Sequence, residues 1–250
     1  ELPVVVLDMT MNDPNIAVIL KMGAPATIGE EEITEEQIKQ MLSRHDSGVH
    51  LVTMSAELLR AGKISREQIA ATLSILKTLF QYVLINTSTE ISNNTFEALD
   101  LSDMVVLLSP IGEEPPTGMF DHQEIITTYY AQESQAAEVH LTETAPLVLP
   151  HSESAEKRFY DAGEVILERD PSDAISRLIQ KIARHIAGVR LGLALGGIAA
   201  RGISHIGVLK VLEENNILID MITGSNTGAI IGAAYALGMN ATDLEEVVLQ

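Results

Sequence analysis

The chain has 250 residues, 46% of them hydrophobic and 20% charged, a globular balance that excludes wholesale disorder. At roughly 150 residues per domain it allows one large domain or two small ones. Sixteen Lys and Arg face 35 Asp and Glu, and the formal net charge of −19 has the wrong sign for a nucleic-acid partner. No cysteine is present, which removes disulfides, thiolate nucleophiles and Cys-ligated zinc together.

Glu1 opens the sequence with no methionine, no basic n-region and no signal-type apolar stretch, so a cytoplasmic location is expected. Both ends look cut, one inside an apparent strand and the other, Val247-Val248-Leu249-Gln250, inside an apparent helix. An internal piece of a longer protein is the expectation. Charge is uneven along it: residues 1–150 hold 22 acids and 7 bases, residues 151–250 hold 13 and 9. Between Lys77 and Lys157 there are 13 acids and no Lys or Arg. That stretch reads either as a solvated acidic surface and linker, or as a face that avoids anionic lipid or docks a basic partner.

In chain order, Val4–Leu7, His50–Thr53, Tyr82–Ile85 and Met104–Leu108 are short apolar runs of the kind buried in a parallel sheet. Helical patterns over Glu35–Arg44 and Ser65–Phe80 lie between them. In the second, Ile69, Leu73, Leu76 and Leu79-Phe80 recur at helical spacing, and Ser65 with Gln68 forms a capping-box signature. Strands alternating with helices predict an α/β fold with parallel strands. From Ser109 to Pro150, Pro110, Gly112, Pro115-Pro116, Gly118 and Pro146 break the pattern, and Glu124–Ala137 reads as a helix. The expected division is therefore a domain over 1–150, with an acidic linker from about 110, followed by a linker helix and second domain over 151–250.

Asp170-Pro171-Ser172-Asp173 is a helix start, and Ile175, Leu178, Ile179, Ile182, Ala183 and Ile186 give the helix that follows an apolar face. Arg177, Lys181 and Arg184 lie on another side. Such a helix either docks on a core or lies on an anionic membrane surface. Next, Leu191–Leu195 reads as a strand that runs into Gly196-Gly197-Ile198-Ala199-Ala200-Arg201-Gly202 and a helix, Ile203–Glu214. Small residues at a helix start leave backbone N–H groups free for an anion or a transient oxyanion. A further strand, Ile217–Ile222, leads to Thr223-Gly224-Ser225-Asn226-Thr227-Gly228 and a helix over Ala229–Leu237. Strand, Gly-x-x-x-Gly and helix is the layout of a nucleophile elbow, where small residues permit a strained turn that lifts one side chain above the sheet. The uncharged run Met221–Thr242 is long enough to span a bilayer. Its Gly224, Ser225, Asn226, Gly228, Gly232, Gly238 and Asn240 favour a turn and a buried helix instead.

These two glycine motifs, about 30 residues apart and separated by Arg201-Gly202-Ile203-Ser204-His205-Ile206-Gly207-Val208-Leu209-Lys210 and Leu212-Glu213-Glu214, resemble the patatin-like phospholipases. The likeness runs from about residue 172 to 250, the opening portion of a patatin α/β hydrolase domain, and the helix over Ala174–Ile186 is most similar to the neuropathy-target-esterase branch. The resemblance implies hydrolysis of phospholipid or lysophospholipid esters by a Ser–Asp dyad, with those lipids as partners and peripheral membrane contact. It implies Asn226 at the nucleophile position, Gly224 and Gly228 flanking the elbow, and Gly196, Gly197, Ile198, Ala199, Arg201 and Gly202 in the oxyanion loop. The dyad Asp would lie in a later Asp-Gly motif. Asn226 has no ionisable hydroxyl, and β-branched Ile198 disfavours a positive φ and crowds an approaching carbonyl. Ser225 and Thr227 are pointed elsewhere by an elbow. The chain as written is therefore expected to be inactive.

Residues 3–110 resemble, more loosely, the deviant-Walker partition and septum-placement ATPases. Val4-Val5-Val6-Leu7-Asp8 is similar to the strand after their first helix, and Tyr82-Val83-Leu84-Ile85-Asn86-Thr87 to their Walker-B strand, with Asn86 where an Asp helps hold Mg²⁺. The glycine-rich phosphate loop would lie upstream of Glu1, so a scaffold rather than a working ATPase is expected. His205 reads as a packing or capping residue. His140, His151 and His185 have no metal-ligand spacing, and no metal or cofactor is expected. Two function classes stay open: a lipid acyl hydrolase piece silenced at its nucleophile, and a non-catalytic regulatory or lipid- or protein-binding module.

Overall fold

The computed structural model describes residues 3–11, 16–31, 33–88, 90, 92–115, 123–130, 147–149, 152–171, 173–197 and 199–249. They form two compact units, Glu1–Ile175 and Ser176–Gln250.

In the first unit the chain runs β1 (Val4–Met9), α1 (Ile16–Ile19), β2 (Thr27–Ile28), α2 (Glu35–Met41), β3 (Ser43–Arg44), β4 (His50–Met54), α3 (Ala56–Arg60), α4 (Arg66–Leu79), β5 (Tyr82–Thr87), α5 (Asn93–Asp100) and β6 (Met104–Pro110). It continues through β7 (Glu124–Tyr130), β8 (Leu147–Leu149), α6 (Glu153–Ala162) and α7 (Ile166–Arg169). One sheet has the order β2-β4-β1-β5 with parallel pairings, and β3 adds to β4 in the antiparallel sense. β6, β7 and β8 make a second parallel sheet.

β1 and β4 read as largely apolar runs because both of their faces are covered. Val5, Leu7, Val52 and Met54 are wholly buried, with Ile38 of α2 and Ile69, Leu73 and Leu76 of α4 packed into the same core. Each such side chain contributes about 1.5–3 kcal/mol by leaving water. The capping box is present: the Ser65 hydroxyl accepts the Gln68 N–H at 3.2 Å, and the Gln68 side chain accepts the Ser65 N–H at 2.8 Å. That start sets the rotation of α4 and turns its apolar stripe onto the sheet.

The stretch expected to be helical from Glu124 to Ala137 is instead β7 over Glu124–Tyr130. Ile125, Ile126, Thr127 and Thr128 are β-branched, and with Tyr129 and Tyr130 they suit a pleated surface better than a helix. Residues 131–146 lie outside the described ones. Within the region read as a linker, β7 and β8 thus extend the sheet that β6 begins.

The second unit contains α8 (Ala174–Ile186, which starts at the division), β9 (Gly192–Leu195), a 3₁₀ turn (Ala199–Ile203), α9 (Ser204–Glu214), β10 (Met221–Gly224), α10 (Thr227–Ala236) and α11 (Ala241–Leu249). β9 and β10 are parallel, Met221 opposite Gly192 and Gly224 opposite Leu195. Leu195, Ile206, Leu209, Ile231, Ala241 and Leu244 form the core. The second strand was expected from Ile217 but begins at Met221, and Ile217 and Leu218 are 44% and 41% exposed. Among the described residues no helix is long and apolar enough to cross a membrane. The uncharged run from Met221 to Thr242 is divided among β10, a tight turn, α10 and the start of α11.

Candidate active site: a glycine loop and a strained elbow

The ends of β9 and β10 are tied together before the turn begins, because Ser225 donates its N–H to the Leu195 carbonyl at 2.9 Å. The chain then reverses sharply into α10. Asn226 sits at the apex with φ 52° and ψ −127°, outside the left-handed well that Asn tolerates, in a region that stores about 1–3 kcal/mol of strain for a residue with a side chain. Its carbonyl accepts the N–H groups of Ala229 at 3.0 Å and Ile230 at 3.3 Å, while its carboxamide makes no capping bond. The side chain is exposed at the tip of the turn.

The flanking glycines are required by contact. A Cβ on Gly228 would lie 2.3 Å from the Leu195 carbonyl oxygen, and one on Gly224 would lie 2.7 Å from the backbone of Ala229. The loop after β9 closes over this turn. Gly197 has φ +120°, and a Cβ there would sit 3.3 Å from Gly202 Cα; a Cβ on Gly202 would meet Thr227 Cβ at 2.5 Å. Gly196 is held from α9, where the His205 ring nitrogen Nε2 bonds its carbonyl. Gly196, Gly197 and Gly202 are thus brought beside the Gly224–Gly228 turn. Arg201 is exposed, its carbonyl accepting the Ser204 hydroxyl at 2.8 Å. Ala199 opens the 3₁₀ turn, and Ile198 lies outside the described residues.

An ion pair braces the foot of the two strands. The Asp220 carboxylate, 5% exposed, accepts Arg184 Nη2–H at 2.8 Å, Nε–H at 3.0 Å and the Leu191 N–H at 2.6 Å. The Arg184 guanidinium holds the Asp220 carboxyl below its usual range, the Leu191 N–H adding to the effect against the cost of burial. Sequence reasoning placed Arg184 on another side of its helix from the apolar face and gave Asp220 no role. Behind the elbow, the Glu213 carboxylate accepts the Ala241 N–H at the start of α11. Burial and, secondarily, Glu213 push the Tyr235 phenol up.

In the first unit the polar feature is Asp8, wholly buried at the end of β1. Its Oδ1 accepts the Thr10 N–H at 3.1 Å, the Thr10 hydroxyl at 2.9 Å and the Asn86 amide at 3.1 Å; its Oδ2 accepts the Ile16 N–H at 3.1 Å. A cleft of about 460 Å³ nearby is lined by Met11, Arg60, Arg66, Ser92 and Glu97 among others. Its two cations are engaged, Arg60 with the Met11 carbonyl at 2.7 Å and Arg66 with Glu97 at 2.9 Å.

A strand, a glycine loop folded over a strained strand-to-helix turn, and a following helix have the layout in which a nucleophile elbow is built. Residues 193–250 match the patatin-like phospholipase family. The lysophospholipase NTE1 of Eremothecium gossypii is 52% identical over 56 residues, covering 22% of this chain and 4% of that protein. An uncharacterized NTE family protein of Mycobacterium bovis is 50% identical over 62 residues, 25% of this chain and 11% of that protein. The chain therefore spans a small part of the relatives it matches. In fold, a ParA family ATPase from Chlorobium tepidum aligns with a TM-score of 0.57 at 14% identity, over 74% of this chain and 87% of that one. The cell division ATPase MinD of Pyrococcus furiosus aligns with a TM-score of 0.57 at 13% identity, over 75% and 86%.

The residues at the ends of β1 and β5 do not offer Mg²⁺ an open carboxylate. Magnesium takes carboxylate and water oxygens. Here Asn86 presents an N–H to Asp8, and the Asp8 oxygens are taken up by four protein donors.

Proposed function

We propose that residues 193–250 are the elbow portion of a patatin-type lipid acyl hydrolase that is silent as it stands, because Asn226 occupies the nucleophile position. The observation that carries this reading is the backbone of Asn226, at φ 52° and ψ −127° between two glycines that steric contact requires. In a working enzyme of this kind a serine oxygen at that apex attacks the ester carbonyl and its proton passes to the dyad carboxylate. Loop N–H groups of Gly196, Gly197, Ile198 and Ala199 hold the oxyanion, with Arg201-Gly202 closing the loop. The bond from the carbonyl carbon to the glycerol oxygen breaks as that oxygen takes the proton back from the dyad; water, deprotonated by the same carboxylate, then attacks the acyl group, which leaves as a fatty acid while the serine regains its proton. A carboxamide nitrogen has its lone pair delocalised into the carbonyl and supplies no such nucleophile. The substrate class is phospholipid or lysophospholipid, after the lysophospholipase relatives, met by peripheral contact with a membrane surface.

A second reading, a non-catalytic binding module throughout, is favoured by the Asp8–Asn86 bond, which occupies a carboxylate oxygen that a cation would need. Fluorophosphonate labelling of the full-length protein and its Asn226→Ser variant separates the two. The hydrolase reading expects no labelling of the unaltered protein and labelling at residue 226 of the variant. A folded variant that stays unlabelled refutes it and leaves the binding module; labelling of the unaltered protein at any other serine refutes the silencing.

A further inference from the structure

Neither Gly196 nor Gly197 carries a Cβ, so no side chain of their own fixes the orientation of the peptide plane between them. Because that peptide is planar and trans, its carbonyl and its N–H point in opposite directions. Whatever holds the Gly196 carbonyl therefore also aims the Gly197 N–H. That holder is His205, whose Nε2 bonds the Gly196 oxygen from the first turn of α9. The carbonyl is confined on another side by Gly228, where an added Cβ would stand 3.1 Å from the same oxygen.

We propose that His205 is a positioning residue: by donating its Nε2–H to Gly196 it selects the peptide orientation in which the Gly197 N–H, and not the Gly196 carbonyl, is offered to the developing oxyanion. The opposite orientation would put an acceptor oxygen where negative charge must be stabilised. This inference rests on the hydrolase reading and deepens it, assigning to the histidine a role beyond packing. Its part is to hold a carbonyl, and it touches no substrate atom in the proposed step.

The test uses the full-length protein on the Asn226→Ser background, with His205→Leu, which removes the donor, and His205→Gln, whose side-chain amide can donate to the same carbonyl. Loss of one oxyanion donor costs about 10²–10³-fold in turnover. His205→Leu is expected to slow fluorophosphonate labelling by that factor and to lower kcat for a short-chain p-nitrophenyl ester with KM little changed. His205→Gln is expected to restore most of the rate. Labelling of His205→Leu at the unaltered rate, or a folded His205→Gln that remains as slow as His205→Leu, overturns the proposal. An independent readout is the ¹⁵N amide resonance of Gly197 in the chain that retains Asn226. It should shift or broaden on His205→Leu and return on His205→Gln. An unmoved Gly197 resonance overturns the proposal even where Asn226→Ser fails to label, an outcome that by itself would count against the hydrolase reading alone.

Discussion

Gly228 is the position at which the elbow can be broken most cleanly by one methyl group. An added Cβ would lie 2.3 Å from the Leu195 oxygen and 2.7 Å from its carbon, against a closest real approach of 3.0 Å, so α10 and β9 must part by about 0.7 Å. Both partners are backbone, and no side-chain rotation can absorb the overlap. The Leu195 oxygen also accepts the Ser225 N–H at 2.9 Å, and a separation of that size stretches the bond past a useful length. Overpacking of this kind costs about 1–3 kcal/mol and the lost bond a further 0.5–1.5 kcal/mol. Gly228→Ala should therefore destabilise the protein by roughly 2–4 kcal/mol.

Gly207 supplies the contrasting case on the neighbouring helix α9. A Cβ there meets nothing within 4 Å. Gly207→Ala in a helix interior should stabilise by about 0.5–1 kcal/mol through the smaller backbone entropy lost on folding. Urea denaturation followed by far-ultraviolet circular dichroism, with hydrogen exchange at Ser225 to localise the effect, reads both variants against the unaltered protein. A Gly228→Ala midpoint at or above that of the unaltered protein would mean that α10 does not abut the end of β9.

Asn226→Gly removes the side chain from a strained backbone and should raise stability by about 0.5–2 kcal/mol in the same denaturation experiment, whereas a clear loss would show that the carboxamide holds something. Asp220→Asn should cost about 1.5–3 kcal/mol at pH 7, because it removes the charge that Arg184 and the Leu191 N–H bind. Arg184 holds the Asp220 carboxyl below its ordinary value of 3.8, so the pair's contribution is full above that value and is lost as the pH falls through the lower folded-state value; a gap between the two proteins that widens in acid would contradict this. Asn86→Asp places a second carboxylate against wholly buried Asp8, at the present Nδ2–Oδ1 separation of 3.1 Å, and should cost about 2–4 kcal/mol at pH 7. This loss has the opposite pH sense, easing as the medium is acidified and the pair takes up a proton; thermal unfolding between pH 5 and 8 checks it, and an unchanged Tm at neutral pH would sink the account of the Asp8 network.

Much of the architecture was legible because it is written in short-range patterns. β1 opens with the apolar run Val4–Leu7, α4 begins with Ser65 and Gln68 in a capping box, and the two glycine motifs mark the turns after β9 and β10. β7 was misread because a run of Ile, Thr and Tyr flanked by Glu124 and later alanines can be fitted to a helical period, and its partner strand lies 20 residues earlier in register. The start of β10 was misplaced because Asp220 is held by Arg184, 36 residues away, and the strand begins only after that anchor. Asp8 and Asn86 are 78 residues apart, and Gly228 meets Leu195 from the first turn of α10. Such long-range partners leave no local signature, although the types involved, a buried acid beside an amide and a glycine before a helix, were visible.

The glycines of this site are weaker witnesses to catalysis than they first look. Gly228 is needed because α10 abuts Leu195, Gly224 because the turn folds onto Ala229, and Gly202 because it packs on Thr227. Those are packing demands, and they persist whether or not any ester is cleaved. The strain at Asn226 is different, since the contacts described for its side chain do not offset it. The same backbone could be held with glycine at lower energy. A side chain raised on a costly turn, with a glycine loop closed beside it, suits a site arranged for a reacting group at 226. On the proposed reading, asparagine there leaves the arrangement without the hydroxyl that a serine would bring. On that reading chemistry turns first on the identity of residue 226, while the fold turns on the glycines around it.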